Sequence, residues 1–184
     1  EQTREVVRDV FTFKVNTGVP AEQSAWFRDG KRLAPVAYPG SGHPEVCIFS
    51  MADNELTCLT NNGQVDDRPV ISPDESKIAF VSDRSGRRDI YLVNVTGGTQ
   101  TRLTAEGDND FPKWSPDGSK ILFQSNQPGN WELFVVGANG SGLTNLTKSP
   151  GTDTAGQWTP DARTIVFQSD RSGTQQIYAM QSDG

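Results

Sequence analysis

The chain has 184 residues, about one domain's length, and a formal net charge of −6 at pH 7. That acidic balance argues against a nucleic-acid partner, which needs clustered Lys and Arg, and no apolar run reaches the roughly 18 residues that span a bilayer as a helix. Eighteen Gly and eleven Pro fit many turns between short strands.

Glu1 opens the sequence with neither Met nor a signal-like segment, so a processed chain or a piece of a longer one is expected. Residues 4–16 alternate Val, Phe and Thr with polar neighbours, the pattern of a strand through Val6, Val10, Phe11, Phe13 and Val15. This strand and a turn-rich link make up residues 1–24 and precede the first repeat.

From residue 25 one text recurs. Ser115-Pro116-Asp117-Gly118 joins an apolar run ending at Trp114 to an alternating run through Ile121 and Phe123. Pro presets φ, Asp bonds backbone amides just downstream and Gly accepts positive φ, so the stretch predicts a β-hairpin. Copies lie at Ser72-Pro73-Asp74 and Thr159-Pro160-Asp161, with a worn one around Trp26 and Asp29. The four turn aspartates are 45, 43 and 44 residues apart. A period in the forties with several strands per unit signals a β-propeller blade.

The expected blades cover about 25–60, 66–104, 110–147 and 155–184. In the second, strands are predicted at 69–71, 77–82, 89–94 and 99–103. In the third they are predicted at 112–114, 120–125, 131–136 and 142–146. The last holds three, at 157–159, 164–169 and 175–180. A spare strand at the head and a vacancy at the tail suggest that the N-terminal strand completes the last blade, in the same molecule or in a neighbour. The first unit departs from the pattern, with Pro35 and Pro39 in and just after its second strand.

Cys47 and Cys58 flank a hairpin symmetrical about Ala52 and Asp53, which sets them opposite each other. Opposed residues lie close enough for a disulfide with slight tightening, and two small buried thiols are the alternative. A bridge implies an oxidising compartment. Three Asn-x-Ser/Thr sequons, at Asn94, Asn139 and Asn145, are glycosylation acceptors in such a compartment.

Ser115-Pro116-Asp117-Gly118, Ser-Asp-Arg-Ser-Gly at 82–86 and 169–173, Asp89-Ile90-Tyr91 and the Leu-Thr steps resemble the propeller repeat of the TolB-like family, also found in tricorn-type and prolyl-oligopeptidase-type propellers. The resemblance covers about residues 25–184. It implies an all-β fold of blades around a channel, usually six of them, and a binding role. This chain has material for about four, and no segment resembles the separate N-terminal domain of TolB.

Chemistry is scarce. The single His, His43, has no Gly-x-Ser-x-Gly serine to serve, so no hydrolase is expected. Zinc spacings and phosphate-cradling glycine motifs are absent. No cofactor is expected. Asp66, Asp67, Asp108, Asp110 and Asp153 fall in predicted inter-blade loops, where oxygens could hold Ca²⁺, although turn formation and solvation is the preferred reading. Asp83 and Asp170 are expected to bond their own loops. Trp26, Trp114 and Trp158 recur at blade spacing and are expected in the core, whereas Trp131 is off pattern.

Meander topology puts the second-to-third loops and the inter-blade loops at one end of the blades. That end gathers Asp67, Arg68, Arg84, Arg87, Arg88, Asp110, Phe111, Trp131 and Arg171, the expected binding face. The sequons at Asn94 and Asn139 fall at the other end. The leading expectation is a non-enzymatic, extracytoplasmic propeller that binds or scaffolds protein partners, without membrane insertion. The alternatives are a subunit of a filament or ring of copies joined by strand exchange, and the propeller of a larger peptidase.

Overall fold

The computed structural model describes residues 24–40 and 42–184, which form sixteen β-strands and, among these residues, no helix. The strands make four antiparallel sheets in chain order. Sheet one holds β1 (Ala25–Trp26), β2 (Arg32–Ala34), β3 (Val36–Ala37), β4 (Glu45–Ser50) and β5 (Glu55–Cys58). Sheet two holds β6 (Asp66–Ile71), β7 (Lys77–Ser82), β8 (Asp89–Asn94) and β9 (Thr101–Arg102). Sheet three repeats that meander with β10 (Asn109–Trp114), β11 (Lys120–Ser125), β12 (Glu132–Gly137) and β13 (Thr144–Asn145). Sheet four has β14 (Asp153–Trp158), β15 (Thr164–Ser169) and β16 (Gln176–Gln181).

The turn text folds as its chemistry dictates. Asp117 Oδ1 accepts the Ser115 hydroxyl at 2.6 Å and the Ser119 amide at 3.0 Å, and Gly118 takes φ of 72°. Asp74 and Asp161 repeat the bonds with Ser72 and Thr159. In the worn copy Phe27 stands where the turn hydroxyl should be, and it is buried in the core instead. Pro35 interrupts the second strand of sheet one as expected, splitting it into β2 and β3, and its carbonyl accepts the Cys47 amide at 3.0 Å. Cys47 and Cys58 are register partners on β4 and β5, and a disulfide joins them.

Three apolar seams hold neighbouring sheets together. Ile78, Phe80, Tyr91 and Val93 of sheet two meet Phe27, Ala34 and Val46 of sheet one. The opposite face of sheet two, with Ala79, Val81, Ile90 and Leu92, meets Ile121, Phe123, Phe134 and Val136. Leu122, Leu133 and Val135 then meet Ile165 and Phe167. A strand buried on both faces needs apolar residues at successive positions, which is how β7 and β11 read.

Several expectations are corrected. The innermost strands are longer than the sequence suggests, because Asp66, Asp67, Asn109, Asp110 and Asp153 lie in β6, β10 and β14 rather than in loops. The outer strands β9 and β13 are shorter than expected, two residues each. Trp114 and Trp158 pack between sheets, but Trp26 is 59% exposed. Val6, Val10, Phe11, Phe13 and Val15 lie outside the described residues.

Candidate functional site

The inner strands of sheets two, three and four each carry a β-bulge. Register shifts fall between Asp67 and Val70, between Asp110 and Lys113, and between Thr154 and Gln157. The residue in each bulge is not glycine, yet Arg68, Phe111 and Ala155 have φ of 54°, 54° and 55°. A left-handed residue with a Cβ costs roughly 1–2 kcal/mol. Three adjacent sheets therefore hold the same strained point, and bulges re-aim side chains where they occur.

The re-aimed groups meet. The Arg68 guanidinium lies 3.7 Å from the centre of the Phe111 ring, which is half exposed. Arg68 Nε is 2.8 Å from Asp110 Oδ1, an ion-pair distance without hydrogen-bond alignment. Arg88, reaching in from the second-to-third loop, places Nη2 2.9 Å from Asp67 Oδ1 and Nε 3.2 Å from Asp110 Oδ2. Burial pushes the Asp67 carboxyl above its ordinary range, against the pull of Arg88 and Arg68. Burial works to lower the Arg88 pKa, but Asp67 and Asp110 hold it above its ordinary value. Two guanidiniums and two carboxylates thus balance beneath an exposed aromatic ring.

The other expected face residues divide by what they touch. Arg84 Nη2 lies 2.9 Å from Asp66 Oδ2, and Arg171 Nη2 lies 2.9 Å from Asp153 Oδ2; both carboxylates are fully buried. Arg84 also sits over Tyr91, and Arg171 over Phe167 and Tyr178. These two arginines clamp the inner strand of a sheet to its hairpin loop. Arg87 is exposed, without an ion pair among the described residues, and Trp131 is half-buried. The Asp83 and Asp170 carboxylates do not bond their own loops, which are closed by backbone carbonyls accepting the Gly86 and Gly173 amides. The carboxylates accept the Val65 and Thr152 amides at 2.8 Å and 2.7 Å, tying each hairpin to the preceding inter-blade link. Asn94 and Asn139 are exposed at the far end, while Asn145 Oδ1 is bonded to the Thr147 amide.

Sequence reasoning missed a second repeated device. Thr60, Thr104 and Thr147 each accept the first apolar amide of the third strand, from Val46, Ile90 and Leu133, at 2.9, 3.0 and 3.0 Å. Each hydroxyl donates to the acid beside that residue, Glu45, Asp89 or Glu132. The Leu-Thr step was visible, but its acidic partner lies about 15 residues upstream. Burial raises the Glu45 pKa, with the Thr60 bond opposing.

Among the described residues no group of three or more His, Cys, Asp or Glu is placed to hold a metal. Asp66 and Asp153, offered above as oxygens for Ca²⁺, are engaged by Arg84 and Arg171.

The family model for the TolB beta propeller domain matches residues 2–111 and 104–184. The chain belongs to the TolB β-propeller family. It is 32% identical over 90 residues to the Tol-Pal system protein TolB of Francisella tularensis subsp. tularensis, covering 48% of this chain and 20% of that protein. A putative TolB from Agrobacterium tumefaciens superposes with a TM-score of 0.75 at 26% identity, covering 88% of this chain and 61% of that one. TolB from Acinetobacter baumannii gives 0.73 and 25%, covering 88% and 41%. The chain therefore spans about a fifth of its curated relative, and two to three fifths of the solved TolB chains.

The turn aspartates of this TolB-type repeat give its stability a pH dependence. Hydrogen bonds from Ser115 and Ser119 draw the Asp117 pKa down to about 2, and Ser72 and Ser76 do the same for Asp74. An unfolded Asp titrates near 3.9. Between those values the unfolded state binds more protons, so stability is present above about pH 4 and is lost as pH falls toward 2. Glu45 and Asp67, raised by burial, act in the opposite sense: their contribution is lost as pH rises through their folded pKa. The urea midpoint should fall between pH 4 and 2, and the D74N/D117N double variant should flatten that slope. An unchanged slope would refute the turn assignment.

Proposed function

We propose that this chain is a non-enzymatic, extracytoplasmic propeller module that binds protein partners through the bulged rim. The observation that carries the reading is the strained trio at 68, 111 and 155. Backbone strain at one position of successive blades persists where function needs the side chain it aims. An exposed Phe stacked on an Arg, above ion-paired charges, is the composition of an interface anchor. Asp67, Arg68, Arg88, Asp110 and Phe111 form the centre of this surface, with Arg87 and Trp131 at its margin; Arg84 and Arg171 support it from behind. Similarity to the Tol-Pal system protein TolB of Francisella supports a periplasmic setting, and the disulfide fits an oxidising compartment.

Phe111→Ser should weaken capture of extracytoplasmic proteins at least about tenfold, the usual scale for losing an aromatic anchor. Leu143→Ser, which removes a comparably exposed apolar residue at the opposite end, should leave capture unchanged. Equal effects would sink the rim reading.

One observation favours a second reading, in which the segment 6–15 pairs with β16 of the same or a neighbouring copy. β16 is the edge of a three-stranded sheet, whereas its counterparts β8 and β12 each pair with a fourth strand, β9 and β13. Size-exclusion chromatography of the whole chain separates the cases. Assemblies of copies support exchange between molecules, and a monomer near 20 kDa rules it out.

A further inference from the structure

Sheets three and four do not close fully against each other. Between their inner strands lies a cavity of ≈ 130 Å³, walled by Leu122, Phe123, Leu133, Ala155 and Gly156 and bordered by Phe111. That is about four waters' worth of volume at roughly 30 Å³ each. The sequence explains why it sits there. The bulge dipeptide is Arg68-Pro69 in sheet two and Phe111-Pro112 in sheet three, but Ala155-Gly156 in sheet four. A large side chain and a ring are missing at the same place. Leu122 and Leu133 lean into part of the gap and would come within 3.0 Å of any Cβ added at Gly156.

Three polar groups complete the lining: Lys113, Gln124 and Gln157. Lys113 has no ion pair among the described residues. Gln124 is 9% exposed and its side chain makes no hydrogen bond among the described residues, and its amide is not closed off from solvent. Its donors and its acceptor are free for an occupant of the pocket. The walls favour a short apolar stem, and the ammonium with two amides favours an anionic, planar, hydrogen-bond-accepting head.

We propose that this pocket binds a carboxylate carried on a short aliphatic stem. The inference rests on the rim reading in one respect only, that a partner protein would supply the group as its C-terminal residue. A small free acid offers the same chemistry.

The test is an NMR titration of the whole chain, following the Gln124 side-chain amide. The probes are isovalerate, isovaleramide and the peptide acetyl-Gly-Gly-Val with a free C-terminus. Isovalerate should shift the Gln124 signals saturably. Isovaleramide should bind at least about tenfold more weakly, as should isovalerate to Lys113→Met, the scale of one charge-assisted bond. Binding of the peptide assigns the group to a protein terminus, whereas binding of isovalerate alone assigns it to a small acid; both sustain the pocket. No saturable shift, equal binding of acid and amide, or an unaffected K113M variant overturns it. Isovalerate binding alongside a failed F111S capture test would sink the rim reading and leave the pocket standing.

Discussion

Asp89→Ala should lower the unfolding free energy by about 3–5 kcal/mol, the range for removing one partner from a buried charged network. Asp89 is fully buried at the head of β8. Its Oδ1 accepts the Thr104 hydroxyl at 2.8 Å and the Asn109 amide at 3.1 Å, and its Oδ2 accepts Arg102 Nη2 at 2.6 Å. The carboxylate therefore joins the outer strand, the third strand and the inner strand of the next sheet. Alanine leaves the buried Thr104 hydroxyl without its acceptor, whereas Asn109 Nδ2 keeps the Arg88, Glu106 and Gly107 carbonyls and the half-exposed Arg102 recovers by turning to water. Asp89→Asn keeps one acceptor oxygen and should lose less than half as much. Urea denaturation of both variants is the measurement; equal losses would mean that charge, not connectivity, holds the seam.

Phe123→Ala should be of similar size, about 3–5 kcal/mol, the usual range for emptying a packed aromatic site. Phe123 is 1% exposed in the seam between sheets two and three and stacks on Phe134 with ring centres 5.9 Å apart. Its counterpart Phe167 stacks on Tyr178 at the same separation. Sheet four, however, has exposed residues at Gln168, Ile177 and Ala179, so it can collapse into a void more readily. Phe167→Ala should therefore cost less, in the same denaturation series. The reverse order would show that the seams are not equivalent repeats of one packing scheme.

Much of this architecture is legible in the sequence because turn chemistry is local. The Ser/Thr-Pro-Asp text at 72, 115 and 159 marks each hairpin, and alternation after it marks the strand. The register of Cys47 against Cys58 follows from counting around one short turn. What escaped was non-local. Asp66, Asn109 and Asp153 read as loop because Asp and Asn are poor strand formers and a bulge breaks the alternation beside them. Arg84 and Arg171 read as free surface charges because their carboxylate partners lie 18 residues back. A signal for that pairing does exist within the chain. Where the third repeat has Asn109 instead of Asp, it has Gln127 instead of Arg, so acid and base are lost together. Trp26 misled for another reason: it follows the repeat in sequence, but its counterparts bury themselves against a preceding sheet, as Trp114 does in donating to the Val70 carbonyl at 3.0 Å.

The rim as a protein-binding surface is tested most directly by site-specific photocrosslinking. Benzoylphenylalanine at position 111 should give discrete adducts with other extracytoplasmic proteins, and the same probe at Asn94 or Asn139, on the far end of the sheets, should give none. Adducts from the far end with a silent position 111 would contradict the account.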